Sequence, residues 1–424
     1  AGGSKKQKRE EMSAAQSKSK DEKIIDIMNS STSPFTSLEY YPPKTADGVT
    51  NLQSRIVRML ANTAPRFMDV TWGAGGSTSD TTLSLVRYIK SVGGVPNMHL
   101  TCTNMDPKLV RDALAECRKE GITNIVALRG DAPEGESEWH AAEGGFACAL
   151  DLVKFIRSEY GSEFGISVAG YPEGHPNAIV SLQDGEAVSA SERLRVSEAT
   201  DENGNKRRYV CKDEAYAGEI KYLKEKVDAG ADFVITQMFF DTNVFVQFVK
   251  DCRDAGIECP IVPGVMCINN YGGFFRMTGF CKTRVPANLK EDMEKLKDDS
   301  EGLKRFGVEF GVGFCERLVN AGCPCLHFYT LNLEKVVYGI LDGMGWQPGL
   351  VSRTADGLDS DAATMKAAGS KWARKGDEVS TQYGKGVVEN IREGGAGEIR
   401  ITNWTLANGG IVKAYLGKGH FEKV

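Results

Sequence analysis

The chain has 424 residues, 41% of them hydrophobic and 26% charged, with a formal net charge of -5. That length holds one large domain plus a small one, with ample apolar material for a core. The mildly acidic balance speaks against nucleic acid as a main partner. No apolar run reaches the roughly 20 residues of a membrane-spanning helix, so no membrane partner is expected.

Residues 1–33 are rich in Lys, Glu and Ser. They lack the apolar stretch of a signal peptide and read as a disordered arm. An organellar import segment is the second reading, and the frequent acidic residues weigh against it. The cytoplasm is therefore the expected location, with an organelle as the alternative.

From residue 34 to residue 346, short apolar runs alternate with helical patterns. The runs are Phe35–Tyr41, Phe67–Trp72, Asn97–Cys102, Asn124–Leu128, Gly165–Gly170, Phe233–Phe239, Pro260–Val265 and Cys325–Tyr329. Between them, apolar residues recur at helical spacing, as in Ile220, Leu223 and Val227 before the stop at Gly230. Phe146, Leu150, Val153 and Ile156 repeat the pattern. Eight runs with helices between them predict an α/β fold, a (βα)8 TIM-type barrel. A doubly wound open sheet fits the periodicity equally well.

The polar residues favour the barrel, because they fall late in or just after many different runs. Glu39 lies late in the first, Thr71 and Trp72 end the second, and His99 and Thr101 lie late in the third. Arg129, Gly130 and Asp131 follow the fourth; Tyr171, Glu173 and His175 follow the fifth. Gln237 lies late in the sixth, Tyr271 follows the seventh, and His327 and Tyr329 end the eighth. A site at the carboxyl face of a barrel draws one or two groups from each loop in this way.

Two segments interrupt the pattern. Residues 181–217 are polar and charged and read as a loop insertion with some helix. Residues 347–375 read as a polar linker. Beyond it, residues 376–424 hold strand-like runs at Val379–Arg392, Glu398–Trp404 and Ile411–Leu416, with glycine-rich turns at 394–397 and 408–410. A β module of roughly fifty residues is too small for a secure core. It is expected to lean on the barrel or on an unknown partner.

The 11 cysteines are scattered. Cys323 and Cys325 form the one tight pair and no second pair completes a zinc set, so they read as reduced core thiols and no metal is expected. The loop Gly73-Ala74-Gly75-Gly76-Ser77-Thr78 lacks the Lys that a triphosphate-binding loop requires. It serves either positive φ angles or a ligand.

Glu39 sits between Leu38 and the aromatic pair Tyr40-Tyr41. Solvated surface is one reading. The other is a carboxyl group partly removed from water, a state suited to proton donation. Arg129-Gly130-Asp131 is either a structural ion pair or a recognition site for a polar heterocycle or phosphate. His175 is either a turn residue or a ligand contact.

Several segments, in order, resemble the catalytic domain of the methylenetetrahydrofolate reductase family. They include Leu38-Glu39-Tyr40-Tyr41-Pro42-Pro43, Asp69-Val70-Thr71-Trp72-Gly73 and Met98-His99-Leu100-Thr101-Cys102. They continue with Ala127-Leu128-Arg129-Gly130-Asp131, Ala169-Gly170-Tyr171-Pro172-Glu173-Gly174-His175-Pro176, Thr236-Gln237 and His327-Phe328-Tyr329-Thr330-Leu331-Asn332. The resemblance spans residues 34–346 and implies an FAD-containing reductase barrel with NADH or NADPH as co-substrate. It implies a ping-pong route in which the reduced flavin passes hydride to methylenetetrahydrofolate.

On that resemblance Glu39, Asp131 and Gln237 are the catalytic residues. Thr71, His99, Arg129, Gly130, Asp131, Tyr171, His175, Glu219, Tyr222 and Lys226 are the flavin contacts. Glu39, Gln237 and Tyr271 are the substrate contacts. Glu219 stands where the family has Asp, and Leu333 where several relatives have Arg. A homo-oligomer is expected. The β module does not resemble the S-adenosylmethionine-binding domain of many eukaryotic relatives, so no inhibition by that route is expected. Two rivals remain: a reductase-like barrel recruited as a structural or binding subunit of a larger assembly, and a barrel flavoenzyme with another substrate.

Overall fold

A computed structural model describes residues 21–73, 77–102, 105–130, 143–200 and 205–347, together with five strands between residues 378 and 423. Nine parallel strands make one sheet: β1 (Phe35–Tyr40), β2 (Phe67–Val70), β3 (Pro96–Thr101), β4 (Asn124–Leu128), β5 (Gly165–Gly170), β9 (Phe233–Thr236), β10 (Ile261–Val262), β11 (Gly264–Met266) and β12 (Cys325–Tyr329). Their spatial order is β10-β9-β5-β4-β3-β2-β1-β12-β11. The two end strands, β10 and β11, are halves of one run broken at Pro263. Proline offers no ladder donor, so the run splits there. The first half pairs with β9 and the second with β12, and the sheet thus closes into an eight-membered barrel. Sequential order and closure set aside the doubly wound sheet.

Strands buried on both faces read as continuous apolar runs, as in β4, whose Asn124, Ile125, Val126 and Ala127 are all buried. The outer helices show one apolar stripe each. In α2 (Ala46–Thr63), Leu52, Ile56, Met59 and Thr63 face the sheet, and Thr45 caps the first turn by accepting from Gly48 N. In α4 (Pro107–Glu120), Asp106 caps, Pro107 opens, and Gly121 closes the helix at φ 70. The remaining barrel helices are α3 (Ser79–Ser91), α5 (Ala149–Tyr160), α6 (Asp213–Asp228), α7 (Thr242–Asp254), α8 (Tyr271–Phe280), α9 (Ala287–Lys295), α10 (Ser300–Asn320) and α11 (Lys335–Gly343).

Two segments differ from expectation. Within the arm expected over residues 1–33, Ile24–Ser30 forms a helix, α1, with Ile24, Ile27 and Met28 buried. Ile24 and Met28 pack with Phe67, Val126, Phe233 and Val262 and floor the barrel at the amino ends of its strands. The apolar pair four residues apart outweighs the polar flank. The insertion carries more strand than helix: β6 (Ile179–Ser181), β7 (Ser197–Thr200) and β8 (Lys206–Cys211) form an antiparallel sheet in the order β6-β8-β7. Its strands have three to six residues and carry several charges, too short and mixed to show a period of two.

The five C-terminal strands are β13 (Glu378–Thr381), β14 (Gly384–Ile391), β15 (Gly397–Thr405), β16 (Ile411–Leu416) and β17 (Phe421–Lys423). They pair antiparallel in the order β16-β15-β14-β13-β17. The linker at 348–375 and the turns at 394–396 and 408–410 lie outside the described residues.

Candidate functional site

Parallel strands in register bring the side chains near their carboxyl ends together. Glu39 is paired with Asp69 on one side and Tyr329 on the other, and His99 and His327 lie on the strands beyond and beside them. His99 Nε2 stands 3.0 Å from Asp69 Oδ2 and 3.5 Å from Glu39 Oε2. His327 Nε2 is 3.4 Å from the same Glu39 oxygen, and its Nδ1 is 2.8 Å from Ser37 Oγ. The Glu39 carboxylate is therefore held between two imidazoles, with its side chain 18% exposed toward the mouth. Thr330 Oγ1 donates to Glu39 O at 2.6 Å and fixes the backbone behind it.

Burial alone would lower the His99 pKa. The Asp69 hydrogen bond and the charges of Glu39 and Asp69 outweigh it and raise the group above its ordinary value. Asp69 is wholly buried, and its Oδ1 has no hydrogen-bond partner. Sequence reasoning passed over Asp69. A lone acid in the four-residue buried run Phe67-Met68-Asp69-Val70 was the available signal.

A second group forms around α6. Lys226 is buried, donates to Ala169 O at 2.7 Å and lies 5.0 Å from the Tyr222 ring centroid. Burial lowers its pKa to about 8, against the opposing charges of Glu219 and Cys148. His175 is lowered to about 4 by burial and by the charges of Arg129 and Lys226, so it is neutral. Its Nδ1 accepts from Asn177 N at 3.1 Å, and the Tyr171 ring meets it edge-on at 4.7 Å. Burial raises Glu219, and Lys226 and Arg129 act against that rise. Arg129, His175, Glu219, Tyr222 and Lys226 thus form one neighbourhood, with two cations to one carboxylate among them.

The other expected residues sit around the rim. Thr71 follows β2 and donates its N–H to Tyr40 O at 2.9 Å. Gly130 follows β4 with φ 93, a left-handed conformation that favours glycine. Gln237 follows β9, and its Oε1 accepts from Met238 N at 2.9 Å. Tyr271 opens α8, packs against Phe275 in a tilted arrangement with ring centroids 4.6 Å apart, and donates to the Glu294 carboxylate. Asp131 lies outside the described residues, as do Ala74, Gly75 and Gly76 of the glycine-rich loop.

Glu173 was noted at a strand end without a role. It is buried, accepts from Arg284 N at 2.7 Å, and leaves Oε1 without a partner. Burial pushes its pKa up to about 8, against the opposing Arg284 N–H and guanidinium. It joins the β5 loop, which carries Tyr171 and His175, to the segment after α8.

Residues 23–345 match the family model described as methylenetetrahydrofolate reductase. The chain is 48% identical over 310 residues to a rice protein named probable methylenetetrahydrofolate reductase (NADH), covering 73% of this chain and 48% of that one. It is 47% identical over 327 residues to methylenetetrahydrofolate reductase (NADH) 1 of Arabidopsis thaliana, covering 76% and 51%. It is 32% identical over 317 residues to the 5,10-methylenetetrahydrofolate reductase of Escherichia coli, covering 74% of this chain and 92% of that one. The chain spans about half the length of the plant relatives it matches.

Proposed function

This chain belongs to the methylenetetrahydrofolate reductase family, and from that premise we propose that it reduces 5,10-methylenetetrahydrofolate to 5-methyltetrahydrofolate. Hydride comes from NADH or NADPH by way of bound FAD in a ping-pong sequence. The observation that carries this reading is the Glu39 carboxyl group, held between His99 and His327 at the mouth of the barrel.

The group of residues around α6 fits FAD. Buried Lys226 and the neighbouring Arg129 offer positive charge to an anionic linker, and His175 is kept neutral beside them. When bound, FAD supplies a two-electron relay that accepts hydride from one substrate and yields it to the next. Thr71, His99, Gly130, Tyr171, Glu219 and Tyr222 would complete its contacts, and Asp131 is assigned to the flavin by the family resemblance alone. The residues of the chain do the rest. Glu39 donates a proton to the folate, opening its five-membered ring to a cation that accepts hydride. His99 and His327 hold the carboxyl group in place. Gln237 orients the pterin by hydrogen bonding, and the Tyr271 ring offers a stacking face.

The test is the pair of half-reactions on purified protein. A yellow preparation is expected, bleached by nicotinamide and reoxidised by methylenetetrahydrofolate. NADH is the first co-substrate to try, because the rice and Arabidopsis relatives carry it in their names. A colourless protein that takes up no FAD overturns the proposal and leaves the barrel as a binding subunit.

A further inference from the structure

The last regular pair between β1 and β12 joins Glu39 to Tyr329. Beyond it the two strands part, and side chains continue the ladder. Thr330 N and Oγ1 both donate to Glu39 O, the hydroxyl at 2.6 Å. Two residues on, the Asn332 amide meets both backbone groups of Tyr41. Tyr41 N donates to Asn332 Oδ1 at 3.0 Å, and Asn332 Nδ2 donates to Tyr41 O at 2.8 Å. A side-chain amide presents the same acceptor and donor groups as a peptide, so it stands in here for the next residue of a strand.

The loop that brings it there is strained. Leu331 and Asn332 have φ of 52 and 56, a left-handed conformation that residues other than glycine rarely adopt. Such strain persists only where the surroundings fix it, and it gathers at functional sites. The surroundings do fix it. Asn332 N donates to Thr330 Oγ1 at 3.1 Å, Leu333 N donates to Thr330 O at 2.9 Å, and Arg55 of α2 donates to Asn332 O. Arg58 of the same helix pairs with Glu334 at 2.9 Å. Thr330 and Asn332 are both buried. Because α2 follows β1 in the chain, strand end, helix and loop close a circuit around residues 39–41.

We propose that Asn332 is a positioning residue for Glu39. By pinning Tyr41 it fixes the carboxyl end of β1, and so sets the Glu39 carboxyl group between His99 and His327. The opposite edge of the segment is held by Thr71, whose N–H donates to Tyr40 O at 2.9 Å. Glu39, Tyr40 and Tyr41 are thus each tied to the end of a neighbouring strand, and the Glu39 side chain leaves a backbone that has no room to shift. Misplacing a reacting group by about 1 Å can slow a reaction about a hundredfold. The inference rests on the reading of Glu39 as the proton donor.

An asparagine that served only the turn could be replaced by glycine without loss, since glycine takes positive φ more readily. That contrast sets the experiment. In the flavin-loaded protein, Asn332→Gly should slow folate-dependent reoxidation about ten- to a hundredfold and leave bleaching by nicotinamide near the wild-type rate. In the Glu39→Gln background the same change should slow reoxidation no further, because a residue that acts through Glu39 has nothing left to position. A crystal structure of Asn332→Gly should show the Tyr41 backbone displaced and the Glu39 carboxyl group drawn away from His327. Reoxidation at the wild-type rate, equal slowing of both half-reactions, an unmoved Glu39, or the same slowing in both backgrounds would each overturn the role of Asn332 and leave that of Glu39 standing. Wild-type reoxidation in Glu39→Gln itself would instead overturn the proton-donor reading, and this inference with it. If the glycine variant does not fold, Asn332→Asp decides. It keeps the acceptor for Tyr41 N, sets a carboxylate against Tyr41 O, and should slow reoxidation while sparing bleaching; equal rates in the two half-reactions relative to wild type overturn the assignment.

Discussion

The two ends of the barrel are built from the same strands and treat polar groups in opposite ways. At the amino end, α1 covers an apolar floor, and the polar groups around it find partners except for one buried oxygen, Asp21 Oδ2. Ile24 N donates to Asn124 Oδ1, Asn124 Nδ2 donates to Glu22 O, and Lys90 pairs with Asp21. At the carboxyl end, Asp69, Glu173 and Lys226 are buried with oxygens left unpartnered or charge only partly answered. Packing is optimised at one end, while the other holds charge ready for a ligand. Local rules are broken where chemistry is to be done.

The comparison is sharpest if changes at the two ends have different signatures. The largest effect is expected for Glu39→Gln. Folate-dependent reoxidation should fall about 10²- to 10⁴-fold, the range for losing a general acid. Bleaching by nicotinamide should stay near wild type, and rapid-reaction spectroscopy reads both. Equal loss of the two half-reactions would remove Glu39 from the role assigned.

Next comes the floor. Ile24→Ala should cost about 2–5 kcal/mol of stability, as deletion of a buried aliphatic side chain does. Denaturant titration measures it, and the ratio of the half-reaction rates should not change. A changed ratio would mean that the two ends are coupled.

Glu173 gives a pH signature at the mouth. Its pKa is about 8 in the folded chain against 4.5 for the free side chain. The folded state therefore holds an extra proton between those values, and stability falls as pH rises through the window. Each pKa unit is worth roughly 1.4 kcal/mol. Glu173→Gln should flatten this fall, so melting temperatures of the two proteins measured from pH 4.5 to 8 should converge or cross in favour of the variant. Parallel curves would show that Glu173 does not titrate there.

The smallest effect is expected for Tyr271→Phe. It removes the exposed bond to Glu294 and keeps the ring, so stability should change by less than about 1 kcal/mol and KM for the folate should hold. Tyr271→Ala should raise KM, and equal behaviour of the two variants would deny the stacking role.

The barrel was legible because strands buried on both faces leave apolar runs that stand out from the helical patterns between them. Glu39 was legible for the same reason, as a charge inside such a run. Asp69 is the same kind of signal, but it lies inside its run, two residues short of the polar end at Thr71 and Trp72 where barrel sites are expected. The pairing of Glu39 with His327 could not be read at all, since it depends on which strands become neighbours. The strands of the insertion were hidden by their shortness and charge, and α1 by the polar arm around it. Glu173 was visible as a strand-end residue, but the groups that meet its charge, Arg284 and Asp241, lie far along the chain.

The contact between Glu39 and His327 joins residues 288 positions apart, across the seam where the first and last strands of the barrel meet. Loop-closure entropy makes such a pairing among the hardest to form, and non-local pairings slow folding. The proposed proton donor is therefore assembled only when the ring of strands shuts. A chain stalled with seven strands paired would hold most of its secondary structure and the group of residues around α6, yet lack a positioned acid. During refolding, flavin binding should recover before folate turnover, which makes turnover a readout of closure itself.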